Sequence, residues 1–257
     1  MYEQLREQYR LVTKLPAYKK RIAEAYRIID EALEIGKGYV SFSGGKDSLA
    51  LFGLVSNRHP NITAYFFDSG AETPDTWSTI HAMQAAGYDI RVKNPRFSII
   101  EMCQEAAFWG AIPNRKEVTW RASEWKRILL DEPALSVLAD GFPVQFIGLR
   151  KDENSYRRLS INKFGVIHTK KNGIIRVCPL ANWTGADVIA YCLTNDLPLS
   201  PIYLQPNDSH AEREHRRTGT ALGTTFMTYG RFQQLRQQHP VFWQELLAIF
   251  PRLAKWG

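Results

Sequence analysis

Six consecutive residues, Ser43-Gly44-Gly45-Lys46-Asp47-Ser48, carry the densest chemistry in the sequence. They lie between an apolar run suited to a strand, Tyr39-Val40-Ser41-Phe42, and one suited to a helix, Leu49 to Val55. Strand, glycine turn and helix in that order form a cradle for anions. Two glycines let the backbone turn tightly and approach a ligand with no Cβ in the way. The helix that follows points its unpaired N–H groups and the positive end of its dipole at the same place. Lys46 adds a cation, and Ser43 and Ser48 add hydroxyl donors. Asp47 is the anomaly. A carboxylate beside phosphates repels them unless it binds Mg²⁺ or orients Lys46. The pattern is not a Walker A loop, because Val40 stands where that motif needs its first glycine and Asp47 follows the lysine.

Strand-like runs are expected at 38–42, 62–67, 89–93, 143–149 and 174–178, alternating with helix-like ones. That alternation predicts an α/β fold of three layers, a mostly parallel five-stranded sheet with helices on both faces. In such sheets ligands bind beyond the carboxyl ends of the strands, where the strand order switches. The loop after the first strand, Asp68-Ser69-Gly70 after the second and Gly148 and Arg150 at the end of the fourth all fall on that edge. Around this core, residues 1–35 read as a helical arm, broken at Pro16, and 206–257 as a helical extension. The nucleotide-binding domain is expected over 36–205. Thr184, with Asp187 three residues on, reads as a helix cap.

Taken together, the motifs resemble a known family. Ser43 to Ser48 is similar to the PP-loop of the ATP pyrophosphatases, and more closely to that of the phosphoadenosine phosphosulfate (PAPS) reductase-like branch. Phe67-Asp68-Ser69-Gly70-Ala71-Glu72-Thr73-Pro74-Asp75-Thr76 resembles the family's "DTG…PET" segment. Gly148 to Arg158 resembles "GxRxxES…RR", Cys178 to Val188 resembles "PLxxWTxxDV", and Asn195 to Tyr203 resembles "NxLPxNPLY". The resemblance implies a loop that holds the pyrophosphate part of ATP, or the sulfate or phosphate end of an adenylyl sulfate. It implies ATP and Mg²⁺ as ligands, with Ser41, Ser43, Gly44, Gly45, Lys46, Asp47, Ser48, Asp68, Ser69, Gly70, Gly148, Arg157 and Arg158 as nucleotide-binding candidates. Lys46, Asp47 and Arg150 are the catalytic candidates, with Asp47 also a direct or water-mediated Mg²⁺ partner. The alternative for Asp68 is a helix or turn cap, and for Arg157 and Arg158 a surface ion pair with Asp152 or Glu153.

The sequence departs from the family at its cysteines. Reductases carry a catalytic cysteine near the C-terminus, and no cysteine follows Cys192 here. Cys103, Cys178 and Cys192 sit in apolar contexts that suit buried, inert thiols. Iron–sulfur members would place cysteines near Ala122, Thr220 and Gly223 or Thr224, and a cluster needs about four such ligands. No iron–sulfur cluster is therefore expected. The reading that follows is an enzyme that cleaves ATP between its α and β phosphates and transfers AMP to an unknown acceptor. A nucleotide sensor without turnover, a component of nucleic-acid sulfur modification and a PAPS or adenylyl sulfate reductase are the alternatives. A formal net charge of +7 suits anionic ligands, nucleic acid included. Trp109, Trp120 and Trp125 are candidate stacking platforms that suit core positions better. With a charged start, MYEQLREQYR, and no membrane-length apolar run, a reducing cytoplasm is the expected compartment. A homodimer or a complex with a partner protein is left open.

Overall fold

The computed structural model describes residues 2–105, 123–205, 209–222 and 231–255. Short runs rich in β-branched and aromatic residues form a single sheet: β1 (Gly38–Phe42), β2 (Thr63–Phe67), β3 (Ile90–Lys93), β4 (Val144–Phe146), β5 (Ile167–Thr169) and β6 (Ile175–Val177). Its order is β3-β2-β1-β4-β6-β5. Every neighbouring pair is parallel except β5–β6. The five expected strands are present, and β5 is a sixth. It is an edge strand of three residues, too short to show a period, and it pairs back on β6 through a tight turn in which Gly173 takes φ of 86°. The Asn172-Gly173 pair before it is a hairpin signal that could have revealed it.

The chain runs outward from β1 to β2 and β3, then crosses to β4 on the other side of β1. The strand order thus reverses between β1 and β4, and a crevice opens at their carboxyl ends. β4 stops at Phe146, short of the expected 149, so Gly148 and Arg150 stand on the loop beyond it. The reason lies in what this loop touches, described below.

Alternation along the strands divides the side chains between two faces. Val40, Phe42, Ala64, Phe66, Val144 and Phe146 share the main core with α2 (Pro16–Ile35), α3 (Lys46–Arg58) and α8 (Gly185–Thr194). Tyr39 and Tyr65 face the other way and meet Val137 of α6 (Glu132–Ala139). The N-terminal arm is part of this body. Pro16 opens α2 at its first turn, where a proline costs no hydrogen bond. α1 (Tyr2–Thr13) lies on α8, with Leu5 and Tyr9 buried. The expected Thr184–Asp187 cap is a full capping box, and Asp187, itself buried, also takes both ion-pair contacts from Arg21.

Past the sheet, α10 (Arg231–Gln238) and α11 (Pro240–Ile249) build a second apolar cluster. Phe232, Trp243 and Leu246 join Ile99, Met102, Trp125, Ala221 and Leu222 there. This cluster sits against Ala71, just after β2, so the C-terminal helices wall in the carboxyl edge of the sheet. No described helix is long and apolar enough to cross a membrane.

Candidate functional site

The loop after β1 is the centre of the site. Gly45 is the N-cap of α3, and no side chain caps that end. The helix pole is therefore left open to an anion. Gly44 takes φ of 69°, and a Cβ there would lie 2.9 Å from the methyl of Thr76. Ser48 Oγ donates to the Gly45 carbonyl at 2.9 Å and accepts from the Ser43 N–H at 3.1 Å, so the loop is closed on itself before any ligand arrives. Ser43 is exposed at its mouth.

Beneath the loop lies a chain of buried charges. Lys46 is 1% exposed, and its Nζ donates to Asp47 Oδ2 at 2.8 Å. Nζ also sits 5.8 Å from the centre of the Tyr203 ring. Asp47 Oδ1 accepts from Arg150 Nε at 2.5 Å, and Arg150 is fully buried, with a longer 3.5 Å contact to Asp152. Burial alone would raise the Asp47 carboxyl. The charges of Lys46 and Arg150 and their hydrogen bonds outweigh it and hold the group below its ordinary value. Both Asp47 oxygens are thus engaged by cations, which accounts for an acidic residue in an anion cradle.

Gly148 explains why β4 ends early. A Cβ on it would lie 3.0 Å from the Asp47 carbonyl carbon and 3.2 Å from the Ser48 nitrogen. The chain leaves the sheet to pass directly under the loop, and only glycine fits. Gly148→Ala is expected to push the loop outward and weaken nucleotide binding by about tenfold or more while the sheet survives. Nucleotide titration of the variant beside its far-ultraviolet circular dichroism checks this, and unchanged affinity would show that the loop tolerates displacement.

The arginines after Arg150 divide. Arg157 forms an ion pair with Glu153, whose side chain is only 4% exposed, and Arg217 reaches the same carboxylate at 3.7 Å. Burial pulls the Arg157 guanidinium below its ordinary value, as do Arg217 and Arg150, against the opposing pull of Asp47. The three arginines therefore share one field. Arg158 is exposed, donating only a long 3.4 Å contact to the Lys151 carbonyl. Arg213 is buried, and its guanidinium donates to the Gln205 carbonyl at 2.9 Å.

On the other side of the loop, the carboxyl ends of β1 and β2 border a pocket of about 330 Å³. Ser41 and Ser43 line one side and Phe66, Phe67, Trp125 and Leu129 the rest. Ser43 belongs to both loop and pocket, so the two are continuous. Trp125 is a core anchor whose neighbours are apolar, and it also forms pocket wall. Trp109 and Trp120 lie outside the described residues. Asp68 Oδ1 accepts from the Gly70 N–H at 2.8 Å, the geometry of a turn cap. Gly70 has φ of 86° and a Cβ there would meet Ser98 at 2.6 Å. Ser69 donates to Glu72 at 2.6 Å.

A scan against protein families matches residues 37–234 to the phosphoadenosine phosphosulfate reductase domain. The chain belongs to that family. Among curated relatives of this PAPS reductase-family chain, the adenosine 5'-phosphosulfate reductase of Geobacillus kaustophilus is 30% identical over 169 residues, 63% of this chain and 65% of that protein. The enzyme of the same name from Lysinibacillus sphaericus is 27% identical over 200 residues, 74% of this chain and 80% of its own. The alignment with the first thus spans just under two thirds of that relative's length. Among solved structures, the phosphoadenylyl-sulfate (PAPS) reductase of Candida auris, in a phosphate complex, superposes with a TM-score of 0.55 at 18% identity, covering 85% of this chain and 93% of its own. The NH3-dependent NAD synthetase of Campylobacter jejuni superposes at 0.50 with 12% identity, over 92% and 94%. Both show the same fold, an α/β body on a mostly parallel sheet.

Sequence reasoning missed several members of the site. Residues 218–222 return from the C-terminal part and dock along 71–76. The Thr73 N–H donates to the Gly219 carbonyl at 3.1 Å, the Gly219 N–H to Thr76 Oγ1 at 2.9 Å and the Ala221 N–H to the Ala71 carbonyl at 2.7 Å. This brings Thr218 beside Gly45 and sets Thr220 opposite Glu72 in an antiparallel bridge. Thr220 is the one described position among those where iron–sulfur relatives would place cysteines, and it lines the pocket. Ala122, Gly223 and Thr224 lie outside the described residues. Glu72 is buried beside Ser69, and burial pushes its carboxyl up to about 7 despite the Ser69 hydrogen bonds, with Asp68 adding to the rise. Its place inside the Phe67 to Thr76 motif was the available signal.

Proposed function

We propose that this chain binds ATP with its β and γ phosphates on the Ser43–Ser48 loop and its nucleoside in the adjoining pocket, and cleaves it between the α and β phosphates. An oxygen of the acceptor attacks the α-phosphorus, the bond to the bridging oxygen breaks, and pyrophosphate leaves with the negative charge. The observation that carries this reading is the shared Ser43. It joins an anion cradle to a nucleoside-sized pocket at the strand-order switch.

Each residue then has a role. The first-turn N–H groups of α3, Ser43 and Ser48 hold the leaving pyrophosphate. Lys46 neutralises it as charge accumulates, the dominant need in phosphoryl chemistry. Asp47 and Arg150 hold Lys46 in place from below, and Arg150 adds a positive field. The Arg157–Arg217 pair of guanidiniums, with Glu153 between them, offers a site for an anionic acceptor, and Arg158 stands outside it. Mg²⁺ enters with ATP as part of the substrate. Asp47 is the loop's carboxylate and would be the ion's direct or water-mediated partner, although both its oxygens already accept from cations. When bound, the ion offsets phosphate charge.

The reductase reading requires an accessible thiolate to attack sulfur. All three cysteines are buried and none is in a disulfide. Burial pushes the Cys178 thiol up to about 11 and raises Cys192 too, whose Sγ lies 3.7 Å from the Lys46 carbonyl. The expected result is pyrophosphate release from ATP and Mg²⁺ in the presence of a suitable acceptor, and no sulfite from PAPS or adenylyl sulfate with a thiol reductant. Release is measured with and without nucleic acid and small-molecule extract. Tight ATP binding with no release under any condition would favour a nucleotide sensor, and sulfite that depends on one of the three cysteines would overturn the transfer reading.

A further inference from the structure

The pocket contains two polar atoms that the fold leaves unpartnered. Glu72 Oε1 accepts from Ser69 Oγ at 2.6 Å and from its N–H at 3.4 Å, while Oε2 makes no hydrogen bond among the described residues. Thr220 Oγ1 is buried and likewise without a partner. The two residues face each other directly in an antiparallel bridge, and both line the pocket. Directly opposed residues on such a bridge have Cβ atoms about 5 Å apart, so their side-chain tips can reach adjacent groups of one ligand. Buried polar atoms in native proteins are almost always paired, so the orphan Thr220 Oγ1, set opposite a carboxylate with one oxygen unengaged, points to a ligand with complementary groups.

We infer that Glu72 and Thr220 together read the Watson–Crick edge of the nucleobase. This rests on the proposal that the nucleoside occupies this pocket. With Glu72 neutral, its Oε2–H donates to adenine N1, and Thr220 Oγ1 accepts from the N6 amine. A 6-oxopurine presents N1–H and O6 instead. Its N1–H opposes the neutral carboxyl, a donor against a donor. The ionised carboxylate reverses the preference, accepting N1–H while the Thr220 hydroxyl donates to O6.

Base choice therefore depends on the protonation of Glu72, and the buried site favours the neutral form up to near pH 7. The charged groups around Glu72 are Asp68 on its own turn, Lys126 across the pocket and His81 of α4 (Pro74–Ala85), which borders the hollow on its far side. The docked 218–222 segment brings none. Asp68 opposes ionisation of Glu72, whereas Lys126 is drawn away by its 2.6 Å pair with Asp131.

The test compares ATP with inosine triphosphate by calorimetry at pH 6 and pH 8. Both carry the same triphosphate, so phosphate titration cancels in the affinity ratio. At pH 6 ATP is expected to bind about tenfold tighter, and the ratio to fall about tenfold or more by pH 8. Glu72→Gln should make the ratio independent of pH. Thr220→Val should weaken both ligands several-fold and leave the pH dependence in place. A ratio that is the same at both pH values in the wild type would overturn the inference. So would a Glu72→Gln effect confined to ATP against 2'-deoxy-ATP, which would place Glu72 at the ribose. Pyrophosphate alone serves as the control for the loop. If it binds while base discrimination is absent, the inference fails and the phosphate-loop reading stands. If neither pyrophosphate nor nucleotide binds, both fail.

Discussion

Arg150→Ala is expected to destabilise the protein by about 3–4 kcal/mol and to abolish turnover. The guanidinium is fully buried and bonds Asp47 at 2.5 Å. Removing one member of a buried ion pair strands the other, at a cost of about 3–5 kcal/mol. The lower part of that range applies because the Asp47 side chain keeps 17% of its surface in solvent and retains Lys46. Urea denaturation should show a lower midpoint with an unchanged slope. Loss of turnover follows because the loop rests on Asp47. The double variant Arg150→Ala with Asp47→Asn should lose less than the sum of the two single changes, since it removes the stranded charge. Fully additive losses would mean that the two side chains act independently. If the single variant proves stable enough for kinetics, turnover that falls far more than ATP affinity would show that the Arg150 charge also acts during transfer.

Lys46→Ala is expected to weaken ATP binding by roughly 10- to 150-fold, the worth of one charge-assisted hydrogen bond of about 1.5–3 kcal/mol. Lys46 is the loop's own cation, and Asp47 holds it from below. Its stem is enclosed and its Nζ lies over Tyr203, so Lys46→Arg should not restore affinity: a planar fork does not fit a space shaped for an ammonium. Calorimetry reads both variants directly. Equal ATP affinity in wild type and Lys46→Ala would remove Lys46 from the site, and with it the assignment of the loop.

These expectations draw unequally on sequence and fold. The phosphate cradle was legible in the sequence because its chemistry is local. Strand, two glycines, lysine and helix are consecutive, and backbone geometry alone turns them into an anion site. The parallel sheet was legible too, from alternation of period and length, and so were the capping box at Thr184 and the burial of the cysteines. The antiparallel β5 escaped because three residues carry no measurable period, although Asn172-Gly173 announced the turn.

Tertiary structure decided what depends on residues distant in the chain. Sequence could offer Asp47 two roles, metal partner or lysine holder. Both its oxygens are taken by cations, one of them 103 positions away, a contact that only the fold reveals. Gly148 looked like part of a motif, and only the loop, 3.0 Å from where its Cβ would stand, shows why a side chain is crowded out there. Arg213 is buried, and half-buried Arg157 pairs with the enclosed Glu153 carboxylate, because of what the fold packs around them. The pocket at the ends of β1 and β2 was beyond sequence altogether. Glu72 and Thr220 lie nearly 150 residues apart, and hydrogen bonds of the 71–76 and 218–222 segments bring them face to face. A sequence shows which groups can do chemistry, whereas burial, which sets their charge and their partners, arises only when the chain closes on itself.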